Sequence, residues 1–156
     1  MSIVVYRDGI IASDSAITEG GVLIGTARKI ARVQAGWLVG AVGCAIDIER
    51  FLTVFSHLRS TSRNPPQLVQ LTANVQAGFT GLVVGPEDAT IYEKGGCFVL
   101  DAPKGIAIGS GADIARGVMW TGQRPEMAVL AAIELCGSCG GAMQYECAPW
   151  LEPPTA

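Results

Sequence analysis

The feature that most constrains this chain is its start. Residues 1–14 read Met-Ser-Ile-Val-Val-Tyr-Arg-Asp-Gly-Ile-Ile-Ala-Ser-Asp. Ile3 to Tyr6 is a short apolar run rich in β-branched residues, and Ile10 to Ala12 is a second one. Between them, Arg7-Asp8-Gly9 signals a tight hairpin, because Asp-Gly supplies the positive φ angles that such a turn requires. Hairpin geometry then carries Asp14 back beside the chain start. On their own, these residues read first as an ordinary edge hairpin.

Composition bounds what can be built on that hairpin. The 156 residues suit one domain, read as residues 1–148 followed by a proline-rich tail over 149–156. Hydrophobic residues make up 49% and charged residues 16%, a balance that points to a large core or to extra surface buried between subunits. A net charge of −3 supplies no basic footprint for nucleic acid. No apolar run has the length of a membrane span, and the start lacks the basic and long apolar segments of a signal peptide, so the expected location is cytoplasmic. Five cysteines, an odd number without small-scaffold spacing, fit reduced thiols better than a disulfide framework.

Along the chain, Ser15 to Gly21 reads as a loop, Val22 to Ile24 as a short strand, Ala27 to Val33 as a strand, and Trp37 to Val42 as a strand covered on both faces. From Ala45 the period changes: Ile48, Phe51, Leu52 and Phe55 fall at helical spacing, and the helix should run to about Leu58. Ser60 to Pro66 reads as a loop and Gln67 to Gln76 as a short helix. Strands follow over Phe79 to Val84, Thr90 to Glu93, Cys97 to Leu100 and Ile106 to Ile108. Gly109-Ser110-Gly111 opens a helix that Gly122 closes, Pro125 starts another to about Leu135, and Ala142 to Cys147 is a last strand. This order of strands and helices fits an α+β fold, a four-layer αββα sandwich with two sheets and helices outside both.

The residues that carry chemistry resemble a known family. The start, from Ser2 to Ser15, is similar to that of proteasome β subunits and the bacterial protease HslV: a nucleophile, a strand, a basic-Asp-Gly turn, and a strand ending in Ala-x-Asp. Ala27-Arg28-Lys29-Ile30 resembles the family's Lys-Ile/Val segment. Leu38 to Gly43 resembles its glycine segment, and Ala107-Ile108-Gly109-Ser110-Gly111 its Ile-Gly-Ser-Gly helix entry. The match runs over roughly residues 2–145, and short versions of the fold also occur in bacteriophage genomes. The resemblance implies an N-terminal nucleophile hydrolase of the threonine or serine type, a self-compartmentalising endopeptidase whose first residue supplies both a hydroxyl and, through its own amine, the base. Carried over, Ser2 is the nucleophile once Met1 is removed, Lys29 is the cation that tunes the amine, Asp14 orients Lys29, Gly40 supplies the oxyanion N–H, and Ser110 hydrogen-bonds near the amine. No cofactor and no metal is implied. The implied partners are further copies of the chain in a ring or other assembly, and an ATP-dependent unfoldase.

The sequence also departs from that pattern. The family nucleophile is usually Thr followed by Thr or Ser, whereas here a single Ser follows Met1. Ser2 lies twelve positions before Asp14, fewer than the family spacing. Aligned instead through Ile3-Val4, Met1 takes the nucleophile's place and the site is dead. Cys136 and Cys139 stand where the family has the Asp and Ser of Asp-x-x-Ser-Gly-Gly. The segment between Arg59 and Gly78 is short against the family's long helical hairpin. A catalytically silent, assembly-forming protein, such as a phage virion component bound to other virion proteins, is the alternative. Read without the family, Asp14 and Lys29 are an ion pair, Ser110 a helix cap, Gly40 a packing position, and His57 a surface residue. The Cys136–Cys139 pair has C-x-x-C spacing, and one pair does not make a four-ligand zinc site.

Overall fold

The computed structural model describes residues 2–33, 36–57, 72–101 and 104–151. Strands β1 (Ile3–Arg7) and β2 (Ile10–Ser13) form the opening hairpin. Asp8 and Gly9 take φ of 48° and 78°, the left-handed pair that the Asp-Gly sequence announces. Leu151 packs against the bare face of Gly9 and covers the turn. β1 pairs on its other side with β10 (Ile106–Gly109), and β2 with β11 (Gln144–Cys147), giving a four-stranded sheet ordered β10-β1-β2-β11.

The second sheet has five strands, β5 (Ile30–Arg32), β6 (Leu38–Val42), β7 (Thr80–Val84), β8 (Asp88–Glu93) and β9 (Gly96–Asp101), paired in that order and all antiparallel. Strand alternation divides the core into three layers. Val4, Tyr6, Ile11, Leu38, Leu82 and Ile91 fill the space between the two sheets. Helix α1 (Ala45–His57) covers the outer face of the five-stranded sheet through Ile48, Phe51 and Phe55. The tip of the Phe51 ring presses on Gly81, where any side chain would displace it, and the ring meets Phe55, Phe79 and Tyr92 at centroid distances of 4.8, 5.5 and 5.3 Å. On the far side, helices α2 (Ala112–Trp120) and α3 (Pro125–Leu135) cover the four-stranded sheet with small residues, Ala112, Ala115, Ala128 and Ala132, against Ile3 and Val5.

The layer order is therefore helix, sheet, sheet, helix, as expected. The segment expected to be a loop over Ser15 to Gly21 is in part strand: β3 (Ala16–Glu19) pairs with β4 (Val22–Thr26) as a separate hairpin. The expected strand over Ala27 to Val33 shrinks to β5, because the chain before Ile30 is drawn inward by Lys29. The loop and most of the short helix expected between residues 60 and 76 lie outside the described residues. His57 ends α1 at the surface, as read. No described helix is long and apolar enough to cross a membrane.

Candidate active site

At the Ser2 end of β1 the two sheets, β3 and the turn after α3 converge. Asp14 and Lys29 are both completely buried there and form an ion pair of 2.8 Å. The carboxylate has three donors. Its Oδ1 accepts from Lys29 Nζ and from the Ile3 backbone N–H at 3.1 Å, and its Oδ2 accepts from the Gly140 N–H at 3.0 Å. One side chain thus ties the start of β1, the approach to β5 and the loop after α3 to a single point. Lys29 Nζ also donates to the Ala16 carbonyl at 2.6 Å. Among the described residues two of the three ammonium hydrogens therefore have partners. Burial pushes the Lys29 ammonium below the usual lysine range, and the hydrogen bond and charge of Asp14 pull it back.

Ser2 is 3% exposed. Its carbonyl accepts the Ser110 backbone N–H at 2.9 Å and the Ser110 hydroxyl at 3.3 Å. Gly109, with φ of 106°, allows this approach, since a Cβ there would overlap the Ser2 carbonyl oxygen. Alternation along β1 places Ser2 on the face shared by Val4 and Tyr6, toward the space between the sheets. The structure thus brings together four of the residues singled out from sequence: Ser2, Asp14, Lys29 and Ser110.

Gly40 is the exception. It lies in the middle of β6, opposite Ile30 on one side and Leu82 on the other. The Ala41 N–H donates to the Lys29 carbonyl at 3.0 Å, so Ala41 faces β5 and, by antiparallel alternation, the Gly40 N–H points the other way, into the ladder with β7. Its missing side chain makes room for Val4, Ile11 and Ile30 from the facing layer and the neighbouring strand. Gly40 is a packing position, and the oxyanion expectation does not hold for it. The same alternation turns the N–H of Gly43, two residues beyond Ala41, toward the Lys29 side. Gly43 follows the last β6–β7 pair, Val42 with Thr80, and has φ of 127°. Its neighbour Val42 packs beside Gly109, at the Ser2 end of the sandwich.

Sequence reading also missed the loop after α3 as a clamp. Gly140 accepts the N–H groups of Ser15 and Ala16 on its carbonyl, at 3.2 and 3.0 Å, and the Ser15 hydroxyl accepts the Ala142 N–H at 2.8 Å. The Gly140-Gly141 pair was its signal, since Gly141 has φ of 73° and sits directly on Ser15. Cys136 and Cys139 flank the turn before it. The Cys139 sulfur rests against Gly111 and lies 3.9 Å from the Ser110 hydroxyl. Among the described residues no cluster of three or more His, Cys, Asp or Glu side chains forms a metal site.

Two antiparallel sheets face to face with helices outside both make a four-layer αββα sandwich, a fold shared with solved structures. Thiobacillus denitrificans BPH in complex with epoxomicin superposes with a TM-score of 0.67, at 23% identity over 93% of this chain and 96% of that one. BPH alone superposes with a TM-score of 0.65, at 23% identity over 95% and 98%. No protein-family model and no curated protein sequence matches the chain.

Proposed function

We propose that the chain is a subunit of a self-compartmentalising peptidase in which Ser2, freed of Met1, attacks peptide bonds. The observation that carries this reading is the buried Asp14–Lys29 pair. Burying two charges costs several kcal/mol per ion, and a well-packed apolar pair of the same volume would stabilise the fold as well or better. What the pair provides is a positive charge beside the Ser2–Ile3 peptide, because Lys29 Nζ and the Ile3 N–H share one carboxylate oxygen. An α-amine has an ordinary pKa of about 8, and a neighbouring ammonium lowers it further.

In this reading the Ser2 amine takes the proton of its own hydroxyl, and Oγ adds to the scissile carbonyl carbon. The N–H of Gly43 stabilises the oxyanion in place of Gly40. The amine returns the proton to the leaving nitrogen, an ester to Ser2 remains, and water activated by the same amine hydrolyses it. A cleft of about 380 Å³ adjoins this end, lined by Ile17, Ala27, Ala45, Ile48 and Leu52 together with Arg28, Glu49 and Thr53, so it offers a substrate side chain apolar walls and both signs of charge. Val22, Leu23 and Ile24 on β4 are each more than half exposed, which supports burial against further copies of the chain. An ATP-dependent unfoldase is the partner this reading calls for, in the cytoplasm.

A second reading keeps the fold without the chemistry, as an assembly-forming protein of the virion type. It is favoured by the near-complete burial of Ser2 and by the thiol at position 136. The deciding experiment incubates the purified full chain with epoxomicin, which the T. denitrificans protein binds. The hydrolase reading expects a covalent adduct on Ser2 and peptide cleavage that Ser2→Ala abolishes. A Ser2-led chain with neither adduct nor cleavage above the Ser2→Ala background would overturn it.

A further inference from the structure

Cys136 closes α3 and Cys139 follows a Gly137-Ser138 turn. The Cys139 N–H donates to the Cys136 carbonyl at 3.0 Å. A turn closed in this way holds its end Cα atoms within about 7 Å, overlapping the roughly 4.4–6.8 Å that a disulfide spans. The two thiols act on each other electrostatically: Cys139 helps draw the Cys136 thiol below its ordinary value, and Cys136 helps push the Cys139 thiol up. The backbone N–H of Ser138 is the chief cause that lowers the Cys136 thiol, and the Ser110 hydroxyl, 3.9 Å from the Cys139 sulfur, adds to it. Gly111 gives the Cys139 sulfur its place, since a Cβ there would stand 2.9 Å from it. Neither thiol is in a disulfide.

We propose that Cys136 and Cys139 are a reversible dithiol–disulfide centre on the rim of the Ser2 cluster, with small-molecule disulfides as its exchange partners. The division of labour follows from the donors. The set around Cys136 stabilises a thiolate and draws its pKa below the ordinary thiol value, so Cys136 attacks one sulfur of the incoming disulfide and expels the other as thiolate. Burial pushes the Cys139 thiol up to about 12, which suits a resolving sulfur held protonated until it is needed. Cys139 then loses its proton to the departing thiolate and attacks the Cys136 sulfur of the mixed disulfide, releasing the second small thiol. One external disulfide is reduced to two thiols, and one protein disulfide forms. Closing it removes the negative charge at Cys136 and the thiol that faces Ser110, so the state of the pair alters the polar surroundings of Ser110 and, through it, of the Ser2 carbonyl.

The test reads sulfur and needs no hydrolytic activity, so it stands or falls separately from the peptidase reading. The full-length wild-type protein is equilibrated with glutathione and glutathione disulfide in varied ratio, quenched with an alkylating agent, and mapped by mass spectrometry. The expected product is two hydrogens lighter, with the bridge within the peptide holding residues 136 and 139, while Cys44, Cys97 and Cys147 are alkylated. Cys139→Ser should accumulate a glutathione adduct on Cys136, and Cys136→Ser should lose the reaction. A wild-type protein in which both thiols stay alkylatable at a large excess of glutathione disulfide, or a Cys139→Ser protein modified elsewhere than Cys136, overturns the proposal.

Discussion

Asp14 holds three donors from three different parts of the chain, so its charge is a structural hub as well as a candidate catalytic element. Removing one member of a buried pair strands the other, at a cost of about 3–5 kcal/mol. Lys29→Met and Asp14→Asn should each destabilise on that scale in urea unfolding, and the double variant should lose clearly less than the sum of the two. Additive losses would show that the two side chains do not interact. Cys136 offers a second readout at this scale. Its folded proton affinity is lowered, chiefly by the Ser138 N–H, so between the folded midpoint and the ordinary value of 9.0 the folded chain binds fewer protons than the unfolded one. The pH-dependent part of the stability difference between wild type and Cys136→Ser should therefore be fully present above pH 9 and be lost as pH falls through the folded midpoint. Thiolate absorbance should show that midpoint below 9.0, and Ser110→Ala should raise it. Asp14, Lys29 and Ser110 were legible in the sequence because the hairpin and the Lys-Ile and Gly-Ser-Gly segments mark them. The convergence of Ser15 and Gly140 was not, since it joins residues 125 positions apart through a loop with no regular period.

Elements were read best where a single residue type forces the geometry. Asp8-Gly9 fixed the hairpin, the spacing of Ile48, Phe51 and Phe55 fixed α1, and Pro125 marked the start of α3. The β3–β4 hairpin was half missed: Val22 to Ile24 was read as a strand, whereas β3 has only four residues and runs straight into the Gly20-Gly21 turn, whose glycines mark a loop. Gly40 shows a subtler limit. Which side of a strand an N–H faces depends on register, and register becomes visible only once β5 and β7 are paired with β6. Because Gly40 makes room for Val4, Ile11 and Ile30, at 2.8, 3.0 and 3.2 Å from where a Cβ would sit, Gly40→Val should overpack the space between the sheets and destabilise by about 1–3 kcal/mol. Thermal unfolding tests this, and an unchanged midpoint would contradict the packing role.

At the scale of the whole molecule, the 49% hydrophobic content is only partly spent on the three core layers. Val22, Leu23 and Ile24 stand 65%, 58% and 60% exposed on one hairpin, and Trp120 is 92% exposed at the end of α2. If the β3–β4 hairpin is an assembly contact, Leu23→Asp should lower the mass measured by light scattering toward that of a single 16.2 kDa chain. A wild type already monomeric at high concentration would contradict assembly through it. The account as a whole rests on a free amine beside Lys29. Its most direct test is the first residue of the mature protein, read by intact mass and N-terminal sequencing on material from the native host. The account predicts a chain beginning at Ser2, and a fully assembled protein that still carries Met1 would contradict it.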